Sequence, residues 1–110
     1  MGNETMVSQE ILDELVQRIV DAVHPHRIVL FGSAATGRMG PHSDLDVLVV
    51  MPDGTHRRHT ARRIYRTLSG LGISKDVVVV TESDVQQFAD EPSLVICPAI
   101  KEGRELYRVS

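Results

Sequence analysis

Residues 31–50 decide the fold of this chain, and they read FGSAATGRMGPHSDLDVLVV. A β-branched, apolar segment precedes them at Arg27–Phe31 and predicts a short strand that ends at Gly32. Residues 33–43 are rich in Gly, Ser, Thr and Pro and therefore predict a loop. A second strand is predicted over 44–51, and it is apolar on both faces after its first three residues. Such a strand should be covered on both sides by other layers.

Hydrophobic periodicity and capping residues predict further elements on both sides of this centre. The first is a helix capped by Ser8 and stopped by His24 and Pro25, and the next is a helix capped by Thr55 and stopped by Gly70 and Gly72. A strand over 76–81 and a short helix with a capping box at 83–86 follow. The last two are a helix over 93–102, which Pro98 kinks or restarts, and a short edge strand over 105–109. This order predicts an α/β (α+β) fold, with a small mixed β-sheet covered by helices. Because the chain shows no repeat and no linker composition, we expect a single domain over residues 1–110.

Composition narrows the class of protein. Hydrophobic residues make up 42% and charged residues 25% of the 110-residue chain, as in a globular domain. The formal net charge of −3 disfavours a surface that coats nucleic acid, so we expect no direct nucleic-acid binding. The single cysteine, Cys97, has no partner for an internal disulfide. No apolar run approaches the roughly 20 residues that span a bilayer, and the polar N-terminus lacks the apolar segment of a secretory signal. We therefore expect a cytoplasmic protein with no membrane partner.

Three acidic residues stand at the beginnings of predicted strands. Asp44 and Asp46 are two positions apart, so both side chains leave the same face of their strand. The preceding strand is predicted to pair antiparallel with theirs, which brings Gly32 and Ser33 beside them. The third strand follows a helical crossover and is predicted to pair parallel, so Asp76 falls at the same edge. The sequence thus predicts that a Gly-Ser turn and three carboxylates meet at one edge of the sheet.

Together these groups predict a site for metal and phosphate. Three carboxylates that lie close together repel one another unless a cation sits between them. Their hard oxygen ligands suit Mg²⁺, which commonly takes further ligands from substrate phosphates. Gly32 lets the backbone approach an anion closely, and Ser33 with the amides that follow offers donors to it. Phosphoryl and nucleotidyl transfer require these components.

The ordered set of motifs resembles the minimal nucleotidyltransferases of the polymerase-beta-like superfamily. The matching stretches are FGSAATG at 31–37, SDLDVLVV at 43–50 and KDVVVV at 75–80, and the resemblance extends over residues 11–107. It implies the palm-like fold of those nucleotidyltransferases. It also implies transfer of a nucleoside monophosphate, AMP from ATP above all, with two Mg²⁺ ions.

The resemblance implies a role for each matching residue. Asp44 and Asp46 would bind Mg²⁺, and Asp76 would be the third catalytic carboxylate, which helps to bind metal and deprotonates the acceptor hydroxyl. Gly32 and Ser33 would hold the triphosphate.

The loop between the motifs supplies two further candidates and one departure. Ser43 would support the loop or a phosphate through its hydroxyl. Many relatives carry basic side chains shortly after the Gly-Ser pair, where this chain has AAT at 34–36. Arg38 is the nearest cation in sequence that could replace them at a phosphate. Its alternative interpretation is a solvated loop residue.

The length of the chain predicts that a partner molecule takes part in the reaction. Because nearly all its residues go into the sheet, the covering helices and the nucleotide site, we expect another molecule to supply the acceptor. Minimal nucleotidyltransferases of this kind are typically paired with a small helical HEPN protein in toxin–antitoxin modules. The resemblance therefore implies an antitoxin that adenylylates a hydroxyl, a tyrosine above all, of a HEPN toxin. Two alternatives stay open: neutralisation by binding alone, and transfer to a small molecule or an RNA end.

Several other side chains have a structural as well as a functional interpretation. His56 and His59 are spaced as a metal pair, but no third ligand is evident, so we interpret them as a solvated helix end. Tyr65 and Tyr107 are interpreted as packing residues rather than nucleotide acceptors, and Cys97 as a small buried hydrophobe. The helix that is predicted to follow Thr55 carries a dense row of basic side chains, which are either solvated or in contact with a partner or RNA. These residues are Arg57, Arg58, Arg62, Arg63 and Arg66.

Overall fold

The structure, a computed structural model, describes residues 9–32, 45–88, 90–91 and 96–109 of the chain. Within these residues the elements in chain order are α1 (Gln9–Val23), β1 (Arg27–Phe31), β2 (Leu45–Met51), α2 (Arg57–Thr67), β3 (Lys75–Thr81), α3 (Glu82–Phe88), α4 (Ile96–Glu102) and β4 (Arg104–Arg108). None of the helices in this part of the chain is long and apolar enough to cross a membrane.

The strands form one mixed sheet in the order β3-β2-β1-β4. β1 pairs antiparallel with both β2 and β4, and β2 pairs parallel with β3. The antiparallel and parallel pairings predicted from the connections are therefore confirmed. A connection without a helical crossover, as predicted between β1 and β2, lets a strand turn back antiparallel, whereas the α2 crossover returns the chain to the same end of the sheet. β3 and β4 are the two edges of the sheet that the described residues form.

The core lies on both faces of the sheet, as the apolar β2 predicts. On one face α1 and α2 pack over the odd-numbered β2 positions, with Leu15, Ile19 and Ile64 fully buried. On the other face α3 and α4 cover Leu48 and Val50, which are also fully buried. Side chains alternate across a strand, so β2 contributes to both clusters. Cys97 of α4 is buried, and its interpretation as a small hydrophobe is confirmed.

The beginning of α2 differs from the prediction. Thr55 does not cap the helix, because its hydroxyl donates to the Pro52 carbonyl at 2.7 Å. His56 is the N-cap instead, and its Nδ1 accepts the His59 backbone N–H at 3.1 Å. The two exposed imidazoles meet edge to face with ring centroids 5.6 Å apart. Their interpretation as a solvated helix end is confirmed.

The capping box of α3 lies two residues before the predicted one at 83–86. The Thr81 hydroxyl accepts the Asp84 N–H at 3.3 Å, and the Asp84 carboxylate accepts the Thr81 N–H at 3.0 Å. Ser83 instead donates its hydroxyl and its N–H to Asp53, at 2.7 and 2.9 Å. The bond from the Ser83 hydroxyl, followed by the bond from its N–H, lowers the pKa of Asp53 below its ordinary value. These bonds tie the turn after β2 to α3.

The remaining bounds differ from the predictions by small amounts. β3 begins at Lys75, one residue before the predicted start. The helix predicted over 93–102 is described from Ile96, because residues 92–95 lie outside the described part. Pro98 is the third residue of the described helix. The predicted edge strand is confirmed as Arg104–Arg108.

Candidate active site

The end of β1 meets the start of β2 at Gly32 and Asp46. Phe31 is the register partner of Asp46 in the antiparallel pair, so Gly32 follows directly beside that carboxylate. The Gly32 backbone has a φ of +73°, a conformation that side chains with a Cβ rarely adopt. A Cβ added to Gly32 would overlap the Asp46 carboxylate at Oδ2. Position 32 therefore requires glycine for two reasons: the positive φ of its backbone and the lack of space for a Cβ beside Asp46.

The start of β3 brings Asp76 to the same place. Asp46 and Asp76 are register partners in the parallel pair β2–β3. Leu48 and Val78, which follow them by two residues, both pack in the cluster under α3 and α4. Alternation along each strand therefore places Asp46 and Asp76 on that same face of the sheet. Neighbouring strands lie about 4.8 Å apart, so the two carboxylates are side by side at the sheet's end.

Three predicted site residues are thus placed together, and four lie outside the described residues. Gly32, Asp46 and Asp76 form the placed set, whereas Ser33, Arg38, Ser43 and Asp44 belong to the segment 33–44. Among the described residues, no group of three His, Cys, Asp or Glu side chains could hold a metal ion. The placed set contributes two carboxylates.

Tyr65 joins this edge, although the sequence predicts it as a packing residue. Its side chain is 40% exposed, so the prediction that it faces the core is wrong. Its hydroxyl lies 2.8 Å from the Val77 N–H, which donates to it, and 3.4 Å from Asp76 Oδ1. A weak signal was available in the spacing. Ala61, Ile64 and Leu68 define the inward stripe of α2, and Tyr65 lies one position to the side of it.

An open cleft borders Tyr65 and the start of β3. Its volume is about 620 Å³, and Gly70, Gly72 and Lys75 contribute to its walls. Both glycines have positive φ, +86° and +82°, and nothing lies within 4 Å of where their Cβ atoms would be. Tyr65 lines the cleft and its hydroxyl contacts Asp76, so the cleft borders the edge strand next to that carboxylate.

Comparison with known proteins assigns the fold to a family. A family profile described as a nucleotidyltransferase domain matches residues 8–107. The chain belongs to this family. A search of curated proteins gave no match.

Two solved structures share the fold of this nucleotidyltransferase domain. A protein from Sulfolobus solfataricus, described as a candidate nucleotidyltransferase, matches with a TM-score of 0.62 and 18% identity over 90% of this chain and 78% of that one. A toxin–antitoxin structure with AMP-PNP matches with a TM-score of 0.60 and 22% identity, over 90% of this chain and 74% of that one. The predicted mixed α/β fold and the resemblance to minimal nucleotidyltransferases are confirmed. Domains of this family generally use a nucleoside triphosphate and divalent metal ions.

The basic side of α2 lies on the other face of the nucleotidyltransferase domain from the carboxylates. Two of its members bond within the fold: Arg57 pairs with Asp84 at 2.9 Å, and Arg63 donates to the Ala22 carbonyl at 2.9 Å. Three others are exposed and make no side-chain hydrogen bond or ion pair with any residue that the structure describes, and they are Arg58, Arg62 and Arg66. These three are spaced four residues apart and form one row along the helix.

Proposed function

We propose that this nucleotidyltransferase domain transfers AMP from ATP to a hydroxyl of a partner protein in a Mg²⁺-dependent reaction. The observation that carries the proposal is the meeting of Gly32, Asp46 and Asp76 at one end of the sheet. Each of these residues was singled out by spacing alone, and the fold brings all three together. A structural role explains them poorly, because two carboxylates side by side repel each other.

The chemistry of this donor set fits the metal. Carboxylate oxygens are the ligands that Mg²⁺ prefers, and the absence of a Cβ at Gly32 leaves room for the Asp46 carboxylate at this end of the sheet. Asp46 and Asp76, with Asp44 from the adjoining segment, would hold two ions. When bound, Mg²⁺ neutralises the triphosphate and stabilises the charge that develops during transfer.

The residues of the chain have separate tasks in the proposed transfer. Gly32 and Ser33 hold the triphosphate, while Ser43 and Arg38 support its phosphates. The acceptor hydroxyl oxygen forms a bond to the α-phosphorus of ATP, and the bond from that phosphorus to the bridging oxygen of pyrophosphate breaks. Asp76 accepts the hydroxyl proton. The products are an adenylylated acceptor and pyrophosphate.

A protein acceptor is supported by the shape of the domain and by one structural neighbour. The cleft of about 620 Å³ beside Tyr65 and Lys75 is open, which suits a segment of another protein. The neighbour with AMP-PNP is a toxin–antitoxin structure. We propose that the partner is a HEPN toxin, that this chain is its antitoxin, and that both act in the cytoplasm.

Neutralisation by binding alone is the second candidate function. The sequence AAT at 34–36 lacks the basic residues that many relatives place after the Gly-Ser pair, which favours it. The exposed row of Arg58, Arg62 and Arg66 also offers a surface for contact without chemistry. Only an experiment that separates transfer from binding distinguishes the two functions.

The test removes charge from the carboxylate edge and keeps side-chain size. Asp44→Asn and Asp46→Asn are compared with wild type and with Asp21→Asn, which removes an exposed carboxylate of α1 instead. Each protein is mixed with labelled ATP, Mg²⁺ and the helical protein encoded by the adjacent gene. We expect AMP to add to that partner's mass with wild type and with the α1 control. The two site variants should be slower by at least ~10²-fold, because metal-assisted transfer depends on those charges.

Neutralisation of the partner is measured in parallel. If the site variants still neutralise it as well as wild type does, the catalytic function fails and neutralisation by binding replaces it. Thermal unfolding of every variant should stay close to wild type. Asp46 lies near the start of β2 and Asp21 is exposed on α1, while Asp44 is predicted at the same strand end as Asp46.

A further inference from the structure

The Tyr65 hydroxyl lies at the boundary between α2 and the carboxylate edge. Although α2 packs on the opposite face of the sheet from Asp76, the side chain of Tyr65 passes around the edge strand β3. Its oxygen accepts the Val77 N–H at 2.8 Å and lies 3.4 Å from Asp76 Oδ1. One phenol oxygen therefore contacts two successive residues of the strand that carries the third carboxylate.

The hydrogen-bonding capacity of each group determines which one donates in the contact between Tyr65 and Asp76. A phenol carries one proton and can also accept hydrogen bonds. The Val77 amide is a donor, so it leaves the Tyr65 proton free. An ionised carboxylate only accepts hydrogen bonds, and Asp76 Oδ1 lies within reach. The hydroxyl therefore donates to Asp76 while the backbone of the same strand holds its oxygen in place.

The side chain that makes these contacts is fixed at its other end as well. Ile64 of α2 and Leu68, the residue at the C-cap of that helix, are both fully buried in the core against the sheet. Val77 is only 8% exposed, and its N–H donates to the Tyr65 hydroxyl at the edge strand β3, so it is a firm partner. A donor that is fixed at both ends restricts the rotation of the carboxylate it contacts.

We propose that Tyr65 is a positioning residue for Asp76, holding its carboxylate in the orientation that metal binding and acceptor activation require. This inference rests on the proposed function, since it assigns Asp76 a role in transfer. Partners of metal-binding carboxylates commonly act in this way, by fixing the orientation of the ligand. The phenol itself touches neither the nucleotide nor the acceptor in this role.

The test removes only the hydroxyl. Tyr65→Phe keeps the ring, and Tyr107→Phe is the matched control, because Tyr107 packs against the core from β4 at the other edge of the sheet. Hydrogen exchange of the Val77 amide reports whether the contact exists in solution. It should accelerate by at least ~10-fold in Tyr65→Phe and stay unchanged in the control.

Metal binding supplies a readout that does not depend on turnover. Mn²⁺ is titrated, with its paramagnetic resonance signal as the measure of free ion, in the presence of α,β-methylene-ATP, which cannot undergo the transfer. We expect Tyr65→Phe to bind Mn²⁺ about 10-fold more weakly than wild type. Where transfer is assayed, kcat should fall by a similar factor, about 10-fold, while KM for Mg-ATP changes little, since the triphosphate contacts are untouched.

The outcomes separate this inference from the proposed function. Mn²⁺ binding by Tyr65→Phe equal to that of wild type overturns the positioning role, even if the wild-type protein transfers AMP. Weakened Mn²⁺ binding without any AMP transfer by wild type supports the positioning role and contradicts the proposed function. AMP found on Tyr65 itself, by mass analysis of the protein after incubation with Mg-ATP, also overturns the role, because the hydroxyl would then be an acceptor.

Discussion

At Gly32 two separate constraints act on one residue. The φ of +73° disfavours any side chain with a Cβ, and the Asp46 carboxylate occupies the space that this Cβ would need. Gly54 shares only the first constraint, since its φ is +87° and nothing lies within 4 Å of its Cβ position. The pair therefore offers a way to separate backbone strain from disturbance of the site.

We expect Gly32→Ala and Gly54→Ala to differ in function rather than in strain. Each should lose about 1 kcal/mol of unfolding free energy, the cost of a left-handed conformation for alanine. Gly32→Ala should in addition displace the Asp46 carboxylate and weaken Mg-ATP binding by at least ~10-fold. Urea unfolding and calorimetric titration measure the two effects. Equal Mg-ATP affinity in the two variants would show that Gly32 serves the turn alone.

The site residues differ in how far their sequence context predicts them. Gly32, Asp46 and Asp76 follow from strand parity and connection length, because both fix which face and which end a residue occupies. Tyr65 lies at the border of a helical stripe, where a small rotation of α2 decides between core and edge. That rotation depends on packing against β3, which no local pattern contains. Spacing therefore gave only a weak signal for the side chain that contacts Asp76.

On the scale of elements, α2 carries an electrostatic cost. Arg58, Arg62 and Arg66 lie at successive i,i+4 positions, where like charges destabilise a helix. The helix has no acidic residue in its first turn to offset them. The row is not explained by helix stability.

Reversal of the middle charge should therefore stabilise the fold. In Arg62→Glu two like-charged i,i+4 pairs, to Arg58 and Arg66, become opposite-charged ones, which should raise the unfolding free energy by about 1 kcal/mol. Arg62→Gln removes the repulsion alone and should give a smaller increase. Urea unfolding at low ionic strength measures both, and added salt should reduce the difference. A loss of stability in Arg62→Glu would mean that Arg62 has a favourable contact in the folded state.

Helix starts show why element bounds are harder to predict than element types. Several residues near each start can cap a helix, and the choice depends on which side chain finds another partner. Thr55 bonds to Pro52, so His56 caps α2 instead. Ser83 bonds to Asp53, and the capping box of α3 is formed by Thr81 and Asp84. Contacts with neighbouring turns decide these bounds. The pairing of β1 with β2 and of β2 with β3 was predicted, because hydrophobic pattern and connection length suffice for it.

On the scale of the whole molecule, the carboxylate edge and the arginines of α2 lie on different faces of the sheet. The carboxylates of Asp46 and Asp76 meet at one end of the sheet, on the face covered by α3 and α4. Five of the twelve basic residues lie on α2, against the opposite face. The chain therefore presents negative charge where a triphosphate is expected to bind. ATP alone would meet repulsion there, and a divalent cation reverses that effect.

The last prediction concerns this dependence on metal. ATP with Mg²⁺ should bind measurably and raise the melting temperature, whereas ATP with EDTA should bind more weakly and leave it nearly unchanged. A ligand at 100 times its Kd adds about 2.7 kcal/mol to the stability of the state it binds, so the shift is well within reach of a thermal assay. Asp46→Asn removes one negative charge from the carboxylate edge, so metal-free ATP meets less repulsion there. The difference in ATP affinity between Mg²⁺ and EDTA should therefore be smaller in this variant than in wild type. Asp21→Asn, on α1, should preserve the difference. Calorimetric titrations that give equal ATP affinity with Mg²⁺ and with EDTA would contradict the prediction, since the carboxylate edge would then not be where the triphosphate binds.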